Sequence, residues 1–209
     1  MSAHLYLPFL AASALLLIIP GPTILTVISY SLSHGRRANV PLIAAVALGD
    51  STALVVSLLG LGALLATSAF WFTVVKFAGG LYLLYLGIKL LRAGISSTEI
   101  TTKPEALDSR WRLFANTYLV TALNPKGIVF FVAFLPQFID RTSPVAPQMW
   151  ILALSFIALA TLNATLYAVF AASARRLLAS PKAQRGFNLM GGSLLSAAGV
   201  WALLAKRPV

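Results

Sequence analysis

The chain has 209 residues, 59% of them hydrophobic and 10% charged, with a mean hydropathy of +0.87. Soluble domains run nearer half apolar and a quarter charged, so an ordinary soluble enzyme is excluded. The net charge of +11 is spread too thinly between apolar stretches for a nucleic-acid surface, and zero cysteines exclude disulfides, thiol redox chemistry and thiolate metal sites.

A membrane-spanning helix needs about 20 predominantly apolar residues, and six segments supply them. The first, Leu5–Tyr30, has no Lys or Arg ahead of its apolar run and outlasts a signal peptide, so it reads as a span. It is interrupted by Pro20-Gly21-Pro22. A proline inside a helix removes one hydrogen bond and frees the carbonyl four residues earlier, so two around a glycine predict an unwound turn. The second span, Pro41–Ala66, carries Asp50, the only acidic residue within any predicted span. The third, Phe70–Leu91, contains Gly79-Gly80 and, seven positions on, Gly87.

The fourth span, Leu113–Phe138, is interrupted at Asn124-Pro125-Lys126-Gly127 and continues into a Phe-rich stretch, Phe130-Phe131 and Phe134. The fifth, Trp150–Ala174, carries Leu162-Asn163, and the sixth, Phe187–Ala205, repeats the glycine spacing as Gly191-Gly192 and Gly199. Asp50 precedes Gly80 by 30 residues and Asn163 precedes Gly192 by 29. Each half thus reads as a Pro-broken helix, a helix with one polar residue, and a Gly-Gly helix. Three spans per half is an odd number, so the second half would be inserted upside down. The expected fold is all-α integral membrane: one transporter domain over 1–209, with repeats of about 1–95 and 110–209. Tight packing of small residues explains any single glycine equally well.

Arg36, Arg37, Arg92, Lys103, Arg110, Arg112, Arg175, Arg176, Lys182 and Arg185 all fall in the loops after spans one, three and five. The opposite side has Arg141, Lys206 and Arg207. The positive-inside rule makes the basic loops cytoplasmic and both termini external. Trp71, Trp111, Trp150 and Trp201 lie near span ends, where interfacial aromatics collect. Lys76 and Lys89, also near span ends, read as snorkelling side chains. Tyr82 and Tyr85 read as lipid-facing or packing residues.

Counting from span ends at the helical rise, Asp50 lies about 15 Å deep, Lys126 about 21 Å, Asn163 about 18 Å and Pro22 about 12 Å. In a hydrocarbon core of roughly 30 Å, all four come near the midplane. Charged groups there are costly and mark function by default, although a structural Asp50–Lys126 ion pair is the plainer alternative. Asn163 alone reads more simply as an interhelical hydrogen bond. The unwound turn offers a half-helix N-terminus to a carboxylate, while freed carbonyls and Asp50 suit an ammonium group. Lys126 is expected to hold a carboxylate or to pair with Asp50, and Asn124 to bond either end of a zwitterion. A carboxylate in a low dielectric can also be held neutral by taking up a proton, so Asp50 is the expected proton-coupling residue.

These motifs, in this order, resemble those of the LysE/RhtB family of amino-acid exporters over nearly the whole chain. The residues that carry the likeness are Ile19-Pro20-Gly21-Pro22, Gly35-Arg36-Arg37-Ala38, Leu48-Gly49-Asp50, Gly80 to Gly87 with Lys89-Leu90, Asn124-Pro125-Lys126, Phe130-Phe131 and Phe134 to Phe138. The resemblance implies a six-helix bacterial inner-membrane exporter of amino acids or close derivatives, driven by an ion gradient. Many members have Asp or Asn after the Pro-Gly-Pro turn. This chain has Thr23, which favours a neutral zwitterion such as homoserine, threonine or a leucine-like molecule over a cationic one.

The expected substrate-binding set is Pro20, Gly21, Pro22, Thr23, Asp50, Asn124, Pro125, Lys126 and Asn163. No catalytic residue, metal site or cofactor is expected. The partners are a small amino acid and the lipid bilayer, with no nucleic acid, and a homo-oligomer is left open. An enzyme would need paired carboxylates or a nucleophile and base, whereas the histidines His4 and His34 sit at opposite span ends. A cation or metal exporter is the alternative. A passive channel fits less well, because broken helices in a repeat favour alternating access.

Overall fold

The computed structural model describes residues 1–67, 69–95, 109–140, 142–171, 173–174 and 180–204. Among them every regular element is helical. The elements are α1 (Ala3–Ile18), α2 (Pro22–His34), α3 (Asn39–Thr67), α4 (Ala69–Ile95), α5 (Arg110–Ala122), α6 (Pro125–Val129), α7 (Val145–Val169) and α8 (Pro181–Leu204). They form six rods, because α1 and α2 are halves of one broken rod, as are α5 and α6. Among the described residues three apolar helical stretches are long enough to cross a membrane: Pro22–Gly60, Arg110–Phe138 and Val145–Val169. Parts of α4 and α8 lie outside the described side chains, and those two helices are not among the three. Lys103, Arg141, Arg175, Arg176, Lys206 and Arg207, used above for orientation, lie outside the described residues, as do the side chains of Trp71 and Lys76.

Both expected breaks occur. The backbone is extended at Ile19 and at Gly21, and Pro22 opens α2 at its first turn. Asn124 is extended and Pro125 opens α6. A third irregularity was not foreseen: α6 runs into a π-helical turn, Phe130–Phe134, and a 3₁₀ turn, Leu135–Phe138. Pro136 has no N–H to give Val132 and would clash with that carbonyl in a regular helix. The wider turn relieves the conflict. It also aims Phe130, Phe131, Phe134 and Phe138 into one aromatic core with Phe9 and Phe156, capped by Trp201. Trp111 and Trp150 remain largely exposed.

Glycines set the closest helix contacts. A Cβ on Gly192 of α8 would lie 2.7 Å from the Gly87 carbonyl oxygen of α4, and one on Gly199 2.7 Å from the Gly80 carbonyl oxygen. Gly87 faces Gly192 and Gly80 faces Gly199, so the two helices run antiparallel with backbones touching. In lipid, where apolar surface gains little by leaving the solvent, such close approach is a main source of association. The other member of each pair points elsewhere. Gly79 abuts Ala133 beyond the second break, and Gly191 abuts Ile19 at the first.

Outside the spans, Asp140 accepts the N–H and O–H of Thr142, which holds its carboxyl below the usual carboxylate range. Gly35, joining α2 to a short 3₁₀ turn, has φ 65° and ψ −162°, a region nearly closed to other residues. A Cβ there meets nothing within 4 Å, so conformation rather than space demands the glycine. Gly35→Ala is expected to destabilise the protein by about 1–3 kcal/mol, read as a lowered melting temperature in detergent. An unchanged melting temperature would show that the backbone relaxes there.

Candidate functional site

The two prolines of the first break delete particular hydrogen bonds. Pro20 cannot donate to the Leu16 carbonyl and Pro22 cannot donate to that of Ile18. The extended backbone between them also strands Leu17 and Ile19. Four carbonyls at the end of α1 therefore need donors in a region without water. All four have one. Lys126 Nζ donates to Leu16 O and Ile19 O, both at 2.9 Å. Asn163 Nδ2 donates to Leu17 O at 3.1 Å, and the Tyr167 hydroxyl to Ile18 O at 2.9 Å. The stub of α1 is capped entirely by side chains of α6 and α7.

The second break is held by its own residue. Asn124 Oδ1 accepts the Lys126 backbone N–H, capping α6, and Asn124 Nδ2 donates to Thr23 Oγ1 at 3.2 Å. One amide thus closes α6 and ties it to the first turn of α2. Gly21 lies against the Lys126 side chain, where a Cβ would come 3.4 Å from Nζ. The two breaks touch.

Asp50 stands on the buried face of α3, one turn from Val46 and one from Leu54. It borders a cavity of about 40 Å³ with Gly21, Thr23, Asn124, Lys126 and Asn163. The ammonium and carboxylate are near enough for each charge to act on the other. Among the described residues, however, none hydrogen-bonds the carboxylate, and no close ion pair joins it to Lys126. Lys126 has three N–H donors and uses two on α1, so one remains for the cavity. That space holds one or a few waters, less than an amino acid.

Six of the nine residues singled out from sequence border this cavity. The other three, Pro20, Pro22 and Pro125, line a larger one of about 350 Å³ on the far side of Lys126. Gly21, Asn124 and Lys126 border both and form the partition between them. The freed α1 carbonyls, expected to await an ammonium ligand, are already occupied. Sequence reasoning missed Tyr167, which a donor one turn beyond Asn163 on the same face of α7 could have suggested. It also set Tyr82 and Lys89 aside as lipid-facing and snorkelling, and both line the larger cavity. Tyr85 is 57% exposed, as packing toward lipid requires.

Tyr167→Phe removes one carbonyl donor and nothing else from the stub. A loss of about 0.5–1.5 kcal/mol in unfolding free energy is expected, the net worth of one hydrogen bond, because this one lies at the exposed edge of the stub. Chemical denaturation in detergent checks it, and no change would mean that another donor replaces the phenol.

A family model described as LysE type translocator matches residues 14–206. A Vibrio cholerae "uncharacterized membrane protein" is 33% identical over 99% of this chain and 100% of its own length. The homoserine/homoserine lactone efflux protein of Salmonella typhimurium is 34% identical over 99% of this chain and 98% of its own. The leucine efflux protein of Salmonella choleraesuis is 31% identical over 66% of this chain and 65% of its own. No solved structure matches.

Proposed function

Because the chain belongs to the LysE type translocator family, we propose that it exports neutral amino acids or their close derivatives across the bacterial inner membrane. The observation that carries the reading is one buried carboxylate without a hydrogen-bonding partner among the described residues, sharing a cavity with one lysine between two broken helices. A zwitterion is the ligand class that complements one negative and one positive group. Its ammonium goes to Asp50. Its carboxylate goes to the spare N–H of Lys126 and to the first turn of α2, where backbone donors are free and the helix dipole is positive.

Alternating access belongs to the same proposal. Under the repeat read from sequence, Gly80 corresponds to Gly192 and Gly87 to Gly199. The contact of Gly80 with Gly199 then maps onto that of Gly192 with Gly87. Gly79 against the second broken rod likewise maps onto Gly191 against the first. Reciprocal contacts of this kind are expected of two inverted halves about a pseudo-twofold axis, an arrangement recurrent in secondary transporters. Asp50 serves as the proton carrier in the return step, and the basic loops are cytoplasmic.

The test is initial uptake into inside-out vesicles of labelled leucine, homoserine, arginine and glutamate, with and without a proton gradient. Gradient-stimulated movement of the neutral pair is the expected result. Movement of a divalent cation with no amino acid moving would overturn the reading. Among the described residues no three His, Cys, Asp or Glu side chains come together.

A further inference from the structure

The larger cavity has a charge pattern of its own. Its floor is formed by the two breaks, and its walls by α4 through Tyr82 and Lys89 and by α8 through Asn188. Among the described residues, the charged groups on its lining are Lys89 and Lys126, and no acidic residue borders it. The Asp50 carboxylate lies in the smaller cavity, beyond Lys126. Lys89 lies six residues before the end of α4 and Asn188 seven after the start of α8. Both therefore belong to the end of the bundle that carries Arg92 and Arg185. Among the described residues neither the Lys89 ammonium nor the Asn188 amide makes a hydrogen bond or ion pair.

A snorkelling lysine should reach away from the protein toward headgroups. Lys89 instead borders a cavity whose other cation, Lys126, has two of its three donors committed to α1. Two like charges in an otherwise mostly apolar space repel a free cation and attract a small anion. The Asn188 amide and Tyr82 hydroxyl add N–H and O–H donors suited to carboxylate oxygens.

We propose that this cavity is a loading site for a carboxylate: Lys89 and Asn188 receive the carboxylate end of the substrate before it passes the Lys126 partition. The inference rests on the proposed amino-acid substrate and adds a requirement that Asp50 does not impose. A molecule with an ammonium group but no carboxylate, such as leucinamide, gains nothing at this site. A charge exposed at a cavity mouth acts on capture more than on later steps. Lys89 is thus a specificity residue felt in KM rather than in kcat.

The cysteine-free chain makes the test direct. Asn188→Cys places the only thiol in the cavity. Its modification rate is measured with an anionic sulfonate-bearing methanethiosulfonate and with the trimethylammonium reagent, in vesicles exposing the basic end. The anionic reagent is expected to react faster. Lys89→Gln should lower the anion-to-cation rate ratio about fivefold, the upper range for one exposed ion pair, and Lys89→Arg should preserve it. Leucine should slow modification and leucinamide should not. In vesicles of the chain retaining Asn188, Lys89→Gln should raise the KM for leucine about fivefold with kcat little changed.

A rate ratio indifferent to Lys89→Gln overturns the loading site, as does equal protection by leucine and leucinamide. A ratio that falls as expected with no protection by any amino acid, and no amino-acid transport, leaves the anion site standing. That result would overturn the amino-acid reading of the Asp50 cavity instead.

Discussion

Asp50→Asn is expected to lower amino-acid export roughly a hundredfold, in line with the ~2–5 kcal/mol cost of removing one partner of a buried charge pair. The amide keeps the size of the side chain, so the cavity beside Gly21, Thr23 and Asn124 survives. What it removes is the negative charge for the substrate ammonium and the group proposed to carry the proton. Residual transport should no longer respond to a proton gradient. Gradient-stimulated export at wild-type rate by this variant would sink both roles.

Lys126→Met separates binding from architecture. It strands Leu16 O and Ile19 O and leaves Asp50 without its nearby cation. A destabilisation of about 3–5 kcal/mol is expected, from two carbonyls left without their charged donor and a buried carboxylate left without its neighbouring cation. Combining Asp50→Asn with Lys126→Met should recover part of that stability, because no lone charge is left buried, while transport stays lost. Were the double variant no more stable than Lys126→Met alone, carbonyl capping would account for the whole loss.

The second large effect belongs to the helix crossing. Gly192→Ala sets a methyl 2.7 Å from the Gly87 carbonyl oxygen and 2.8 Å from the Leu91 nitrogen. Backbone atoms cannot swing aside as a side chain does, so α4 and α8 must separate along their length. Overpacking commonly costs about 1–3 kcal/mol, and a backbone-to-backbone clash belongs at or above the upper end. Gly199→Ala, 2.7 Å from the Gly80 oxygen, should match it. Gly186→Ala provides the contrast. It is exposed on α8 with nothing within 4 Å, and should stabilise by up to about 1 kcal/mol through helix propensity. Thermal denaturation of the three purified variants decides it, and similar melting temperatures would refute the close-contact account.

Much of this arrangement was legible in the order of residue types. Long apolar runs and two prolines around Gly21 are one-dimensional signals, because hydropathy and a missing N–H need no neighbour to take effect. Relative level along the bundle was legible for the same reason: a fixed rise per residue brings Asp50, Lys126 and Asn163 to one height, and they border one cavity. Rotation about each helix axis was not. Whether Lys126 meets a carboxylate or the carbonyls of Leu16 and Ile19 depends on how α6 turns against α1. The π-helical turn was hidden because Pro136 announces a disturbance without saying how the preceding turn absorbs it. The place of Lys89 on a cavity lining was hidden because an end-of-helix lysine on a lipid face and one beside a cavity share the same local sequence.

The capping of the α1 stub by Lys126, Asn163 and Tyr167 has a consequence for the protein at rest. Every donor comes from the other half of the chain, and hydrocarbon offers no substitute once a bond is broken. Releasing the Lys126 ammonium alone gives up two charge-assisted bonds, together about 3–6 kcal/mol. A state with the stub let go is then populated well below about 1% unless something repays that energy. Under the proposed alternating access, an empty carrier built this way would idle shut and leak little, and a substrate carboxylate that draws the lysine away would lower the barrier.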